Sequence, residues 1–116
     1  MQYLLLIYED GKRFQNGFSE SEFAEYGAFG TKHTAAIKGG NALQPTGPAK
    51  TVRLRDGKAL TTDGPFAETK EQLAGFYLLE CKDLDEAIQW SSKIPHASRG
   101  AIEIRPVVDF SQTASV

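Results

Sequence analysis

The sequence predicts a two-layer α+β sandwich, an antiparallel sheet with two helices on one face. Three observations lead there. Apolar stretches at residues 1–8, 73–81 and 101–108 have the length and composition of strands. Between them lie two segments with apolar residues at helical spacing, each opened by a capping box. The middle of the chain carries an alternating segment, Val52-Arg53-Leu54-Arg55, that runs into Asp56-Gly57, the favoured two-residue hairpin turn. The resulting order is β-α-β-β-β-α-β, which suits helices gathered on one face of an antiparallel sheet.

Each element follows from local chemistry. Residues 1–8 place Tyr3, Leu5 and Ile7 on one side and Leu4, Leu6 and Tyr8 on the other. Both sides are apolar, so both need cover. Residues 10–17 are polar, carry glycine and read as a loop. Ser19 with Glu22 makes the first capping box, and Phe18 with Phe23 occupies the two positions of a hydrophobic staple. Phe23, Tyr26, Gly30, His33 and Ile37 then form one helical stripe, ended by Gly39-Gly40. Gly27 and Gly30 each cost about 1 kcal/mol relative to alanine, so either this helix is weak in the middle or something packs very close there.

Residues 41–49, with Pro45, Gly47 and Pro48, connect to a hairpin of strands at 51–55 and 58–62. Asp63-Gly64-Pro65-Phe66 is a second turn signal. Residues 67–72 form a charged crossover to the central strand at 73–81. Asp83 and Glu86 open the second helix, whose stripe is Leu84, Ala87, Ile88, Ser91 and Ile94 and whose stop is Pro95. Ile102 and Ile104 face one way from the last strand. Two helices on one sheet face leave Leu4, Leu6 and either Phe76 or Tyr77 on the other. A symmetric dimer stacked sheet on sheet would bury that patch.

A length of 116 residues corresponds to one domain, expected over residues 1–110 with a frayed tail at 111–116. The net charge of −2 leaves no broad basic footprint, so nucleic acid is not an expected partner. The longest apolar run falls far short of the ~20 residues that span a bilayer, and no signal-peptide pattern opens the chain. A soluble cytoplasmic protein without membrane attachment is therefore expected. The single cysteine, Cys81, excludes an intrachain disulfide and reads as a buried inert thiol.

Few residues carry chemistry at a recognisable spacing. His33 lies on the stripe of the first helix, either as a packing histidine or as a general base. His96 follows Pro95 and reads as a surface residue. Asp63, Glu68 and Glu71 cluster around the second turn, where Asp63 either accepts turn hydrogen bonds or serves a site. Lys50, Arg53, Arg55 and Lys58 make a basic hairpin that suits solubility and edge protection, or the docking of an anion. No His, Asp and Glu cluster stands at metal-ligand spacing, and no phosphate loop or nucleophile elbow is present, so no metal or cofactor is expected.

The segment Thr61-Thr62-Asp63-Gly64-Pro65-Phe66-Ala67-Glu68-Thr69-Lys70-Glu71, with the opening Met1-Gln2-Tyr3-Leu4-Leu5-Leu6-Ile7-Tyr8, resembles the DGPF branch of the YCII-related family. Val52-Arg53-Leu54-Arg55-Asp56-Gly57-Lys58, Asp83-Leu84-Asp85-Glu86-Ala87, Trp90, Ile94-Pro95 and Glu103-Ile104-Arg105-Pro106-Val107 extend the resemblance over residues 1–108. It implies a ferredoxin-like fold that forms a homodimer through its sheets, as a dimeric α+β barrel. It also implies a context that is sometimes regulatory, next to sigma factors, and a dehydrochlorinase of a chlorinated hydroquinone elsewhere in the family. The wider family's proposed His–Asp pair does not carry over, because counting back from Gly47-Pro48 places its histidine near Gly30. Asp63, Phe66 and Glu68 match the motif and are expected, with Tyr26, to rim a ligand pocket.

Two functions compete at this stage. One is a dimeric small-molecule-binding or regulatory module, a possible structural partner of a sigma factor. The other is a small-molecule enzyme, of lyase or hydrolase type, with Asp63 or His33 as the catalytic candidate. The rigid Gly64-Pro65 turn suits a ligand rim and a dimer contact equally.

Overall fold

The computed structural model describes residues 1–32 and 35–113. Its main sheet has four strands, β1 (Gln2–Asp10), β2 (Ile37–Ala42), β5 (Glu71–Glu80) and β6 (Ala101–Pro106), in the order β2-β5-β1-β6. Each neighbouring pair is antiparallel. Strands β1 and β2 therefore run parallel with β5 between them, and β5 and β6 run parallel with β1 between them. Two such split β-α-β units make the expected ferredoxin-like sandwich. The crossovers are α2 (Glu20–Lys32) and α3 (Leu84–Ser92). A short α1 (Gly11–Phe14) follows β1, and α4 (Phe110–Thr113) follows β6.

The hairpin β3 (Lys50–Arg55) and β4 (Lys58–Asp63) is a separate two-stranded sheet inserted between β2 and β5. Its register pairs Arg55 with Lys58 across Asp56-Gly57. Both turn residues take positive φ, 51° and 76°, as a type I′ turn requires. Val52, Leu54 and Leu60 are exposed on this arm.

One face of the main sheet holds the core. Tyr3, Leu5, Ile7, Leu79, Phe29, Ala87 and Ile94 pack in a single cluster between the sheet and the two long helices. Leu5 and Leu79 are fully buried, each contributing about 1.5–3 kcal/mol. On the opposite face Leu4, Leu6 and Tyr8 stay half-buried, as the two-sided apolar pattern of β1 anticipates. Among the described residues no helix is long and apolar enough to cross a membrane.

Four expectations are corrected. Helix α2 ends at Lys32, so Ile37 and Gly39-Gly40 belong to strand β2 rather than to the helix and its stop. The inward face of α2 is Glu22, Tyr26 and Phe29, with Tyr26 and Phe29 meeting Tyr77 of β5 and Glu22 meeting His96; Phe23 is exposed although its ring still contacts Phe18 in the staple. Residues 10–17 contain a helical turn capped by Asp10, whose carboxylate accepts from the Lys12 N–H. Gly27 and Gly30 do not mark close packing, since a Cβ at either would meet open space. His33, the stripe histidine, lies outside the described residues, as do residues 114–116 of the tail.

Gly100 is where close approach does matter. A Cβ there would collide with the carbonyl oxygen of Tyr8 on β1. Its bare backbone lets the short 3-10 helix at Pro95–Ser98 lie against β1, and the Gly100 N–H donates to the His96 carbonyl at 2.7 Å.

Two opposite outcomes follow for glycine replacements. Gly27→Ala should raise stability by about 1 kcal/mol, a few degrees in Tm, since it restores helix propensity without a clash. Gly100→Ala should lower stability by about 1–3 kcal/mol, as overpacking does. Thermal unfolding followed by circular dichroism checks both.

Candidate functional site

Three buried polar residues, Glu9, Glu22 and His96, gather at one end of the core. Strand β1 turns Tyr3, Leu5, Ile7 and Glu9 to the same face, so Glu9 continues a hydrophobic series with a carboxylate. Its side chain is only 4% exposed. Helix α2 supplies Glu22 from its first turn. The capping box is formed in full: the Glu22 N–H donates to Ser19 Oγ at 3.2 Å, and the Ser19 N–H donates to Glu22 Oε1 at 3.0 Å. That use of Oε1 leaves Oε2 to point into the core. The 3-10 helix supplies His96, which is 1% exposed; it is not the surface residue that its place after Pro95 suggests. Ile94 is buried just before it and Gly100 draws the segment onto β1, so the turn rolls His96 inward.

These three side chains meet. His96 Nε2 contacts Glu9 Oε2 and lies 3.3 Å from Glu22 Oε2. The approach of Nε2 to Glu9 Oε2 has the distance of an ion pair but not the alignment of a hydrogen bond, and both atoms are buried without a hydrogen bond. On the other side of the ring, His96 Nδ1 lies 2.5 Å from the Tyr26 hydroxyl. The Tyr26 ring stacks on the imidazole at 5.5 Å, and Phe18 meets it edge-on at 5.8 Å. Arg13 stands 3.6 Å from Glu9 Oε1 and 3.7 Å from Glu22 Oε2, beyond hydrogen-bond length. Arg99 lies 3.9 Å from Glu22 and 3.4 Å from Glu25.

The electrostatics follow from this arrangement. Burial pushes the Glu22 carboxyl up, but the two hydrogen bonds with Ser19 and the nearby His96 and Arg13 together outweigh it and hold the group below its ordinary value of 4.5. Burial, reinforced by the neighbouring Tyr77, raises Tyr26 well above the ordinary phenol range despite the opposing contact with His96. Tyr26 is thus a protonated phenol at neutral pH, able to donate to imidazole or to a ligand.

Tyr26 also faces a cavity. A space of about 190 Å³ between α2 and the sheet is lined by Phe18, Phe23, Tyr26, Phe76, Tyr77, Ile7 and the backbone around Gly40 and Gly75. It is predominantly apolar and aromatic. A broader open cleft of about 890 Å³ separates the β3–β4 arm from the main sheet, with Tyr8, Leu43, Pro45, Pro65, Phe66 and Leu73 on its walls.

The residues expected from sequence are distributed unevenly over these features. Tyr26 lines the aromatic cavity and touches the buried cluster. Phe66 is 81% exposed at the wall of the broad cleft. Asp63 has an 87% exposed side chain at the end of β4, pairs with Lys50, and lines neither cavity. Glu68 is exposed and lines neither. Cys81 is buried, as expected, and burial pushes its thiol up. Glu9, Glu22 and His96 were not anticipated as a site, yet their ligating atoms all lie within 4.8 Å of one another, a set that could hold a metal ion. The available signal was the carboxylate of Glu9 on the buried face of β1.

Comparison with known proteins places this fold in context. The YCII-related domain matches residues 1–111. The uncharacterized protein R00369 of Rhizobium meliloti (strain 1021) is 39% identical over 115 residues, covering 92% of each chain. A solved structure with the same fold is the 5-chloro-2-hydroxyhydroquinone dehydrochlorinase TftG from Burkholderia phenoliruptrix AC1100, in complex with 2,5-dihydroxybenzoquinone. It has 16% identity, covers 97% of this chain and 98% of its own, and gives a TM-score of 0.58.

The lowered pKa of Glu22 sets the sign of an acid response. Its contribution to stability is complete above about pH 4.5 and is lost as pH falls through the lower folded value. In chelator-treated protein, the Tm difference between the natural chain and Glu22→Gln should be constant from neutral pH to about 5 and shrink below 4.5. A difference that grows on acidification would reverse that sign.

Proposed function

We propose that this chain, which belongs to the YCII-related family, binds a single-ring aromatic or cyclic small molecule in the cavity between α2 and the sheet. The observation that carries this reading is the double role of Tyr26: its ring is cavity wall, and its hydroxyl is held by the buried His96. A cavity near 190 Å³ suits one ring, since an apolar cavity of about 150 Å³ accepts benzene. Stacking on Phe18, Tyr26 and Tyr77 would select a planar compound, and the Tyr26 hydroxyl would orient one oxygen of it. The ligand of the fold neighbour, 2,5-dihydroxybenzoquinone, is a compound of this class.

The same geometry favours a second reading, a small-molecule enzyme. His96 and Tyr26 form a hydrogen-bonded line of proton-bearing groups ending at the cavity wall, with the Glu9 carboxylate against the imidazole. Such a line can deliver a proton to, or accept one from, a ring oxygen. On this reading Tyr26 is the group at the reacting atom and His96 positions it; exposed Asp63, paired with Lys50, contributes to the arm instead. The working unit in both readings is a homodimer that covers the half-buried Leu4, Leu6 and Tyr8 face of the sheet. The aromatic cavity favours a small ligand over a sigma-factor partner as the object of recognition.

A thermal-shift panel of phenols, quinones and cyclic acids tests the binding reading. A ligand at 100 times its Kd should add about 2.7 kcal/mol of stability, several degrees in Tm. Tyr26→Phe keeps the ring and removes the hydroxyl, and should weaken a hydroxylated ligand by roughly tenfold. A flat panel, or hits that are indifferent both to Tyr26→Phe and to Ala42→Phe, which would fill the cavity that Ala42 also lines, would overturn it.

A further inference from the structure

We propose that Glu9, Glu22 and His96 form a mononuclear site for a divalent transition-metal ion, zinc foremost, behind the aromatic cavity. The donor set is one imidazole and two carboxylates, the mixture that zinc accepts in sites with an open coordination position. One ligand atom from each residue lies within 4.8 Å of the others. Ligands about 2 Å from a tetrahedral ion stand about 3.3 Å apart, the separation of His96 Nε2 and Glu22 Oε2; Glu9 Oε2 lies closer to Nε2 than that and draws back when an ion enters.

Two further observations point to an occupant. Glu9 Oε2 and His96 Nε2 belong to side chains 4% and 1% exposed, and neither atom makes a hydrogen bond. Buried polar atoms are satisfied as a rule, so these two, in contact with each other but without a hydrogen bond, leave bonding capacity for a third group. A void of about 10 Å³ adjoins the cluster, with Glu9, Arg13, Glu22 and His96 among its walls. It has room for a single atom-sized occupant. The remaining oxygens are already used in ways that hold the ligands still. Glu22 Oε1 is in the capping box, and Glu9 Oε1 accepts from the Asp10 N–H at 3.2 Å.

The other ring nitrogen is also suitably placed. With Nε2 on an ion, Nδ1 carries the proton and donates to the Tyr26 oxygen, the outer hydrogen bond that metal-bound imidazoles require. Tyr26 then turns its own proton toward the cavity. Arg13 and Arg99 are the competing cations, but Arg13 is half-exposed and stands off both carboxylates at 3.6 and 3.7 Å, and Arg99 stands 3.9 Å from Glu22 and nearer to Glu25.

The test uses the full-length protein, stripped with chelator and titrated calorimetrically with zinc chloride alone. One saturable ion per chain is expected, with Glu9→Gln and Glu22→Gln each weakening binding by at least about tenfold. Glutamine also serves at the third position of a capping box, so Glu22→Gln should keep its helix start. Cobalt loading supplies a readout that needs no variant: its visible spectrum should show nitrogen and oxygen ligands and no thiolate. Absence of saturable zinc binding, affinity unchanged in both folded variants, or a cobalt–thiolate band would each overturn the proposal. None of these readouts involves a ring ligand, so failure here leaves the cavity reading to its own test.

Discussion

The contact between Glu9 and His96 is the constraint around which the rest is arranged. It joins the first strand to the turn before the last strand, from opposite ends of the chain. Burying two ionisable groups together is costly, and removing either partner strands the other at a cost on the order of 3–5 kcal/mol. The neighbouring architecture accommodates that demand. Gly100 lets the 3-10 helix press onto β1, Ile94 anchors its start, and Glu22 enters from the capping turn of α2. Tyr26, one turn further along α2, is then fixed by His96 and becomes a defined part of the cavity wall.

An apolar replacement of the cluster would satisfy the core at least as well, since buried ion pairs seldom exceed well-packed hydrophobic residues in stability. The polar set therefore makes more sense as preorganisation than as reinforcement. It holds a protonated phenol at the edge of an aromatic space, the place where the proposed ligand's ring and oxygen would be recognised at once. Strand β1 serves both ends of this arrangement: Ile7 lines the cavity, and two residues on, Glu9 reaches the cluster.

Much of this fold was legible because it rests on local chemistry. Apolar runs marked β1 and β5 and an alternating one marked β6, Asp56-Gly57 marked the hairpin, and the capping boxes marked both long helices. Strand β2 was not legible. Its Ile37-Lys38-Gly39-Gly40-Asn41-Ala42 lacks alternation, and only pairing with β5 makes it a strand. The inward face of α2 was misplaced by one position because Glu22, a charged residue, takes a core place that Phe23 seemed better suited to fill. Tyr26 was legible as an aromatic of the helical stripe that could line a cleft, and it lines the aromatic cavity. The cluster was not, because three separate elements bring its members together and no spacing along the chain encodes that meeting.

A double-mutant cycle between Glu9→Gln and His96→Gln, by urea unfolding of chelator-treated protein, tests the central claim most directly. If the two side chains act as one buried unit, the effects should be non-additive, with a coupling of about 1–3 kcal/mol. Additivity within about 0.5 kcal/mol would contradict the account, because it would mean that the turn carrying His96 and the strand carrying Glu9 are held together by something else.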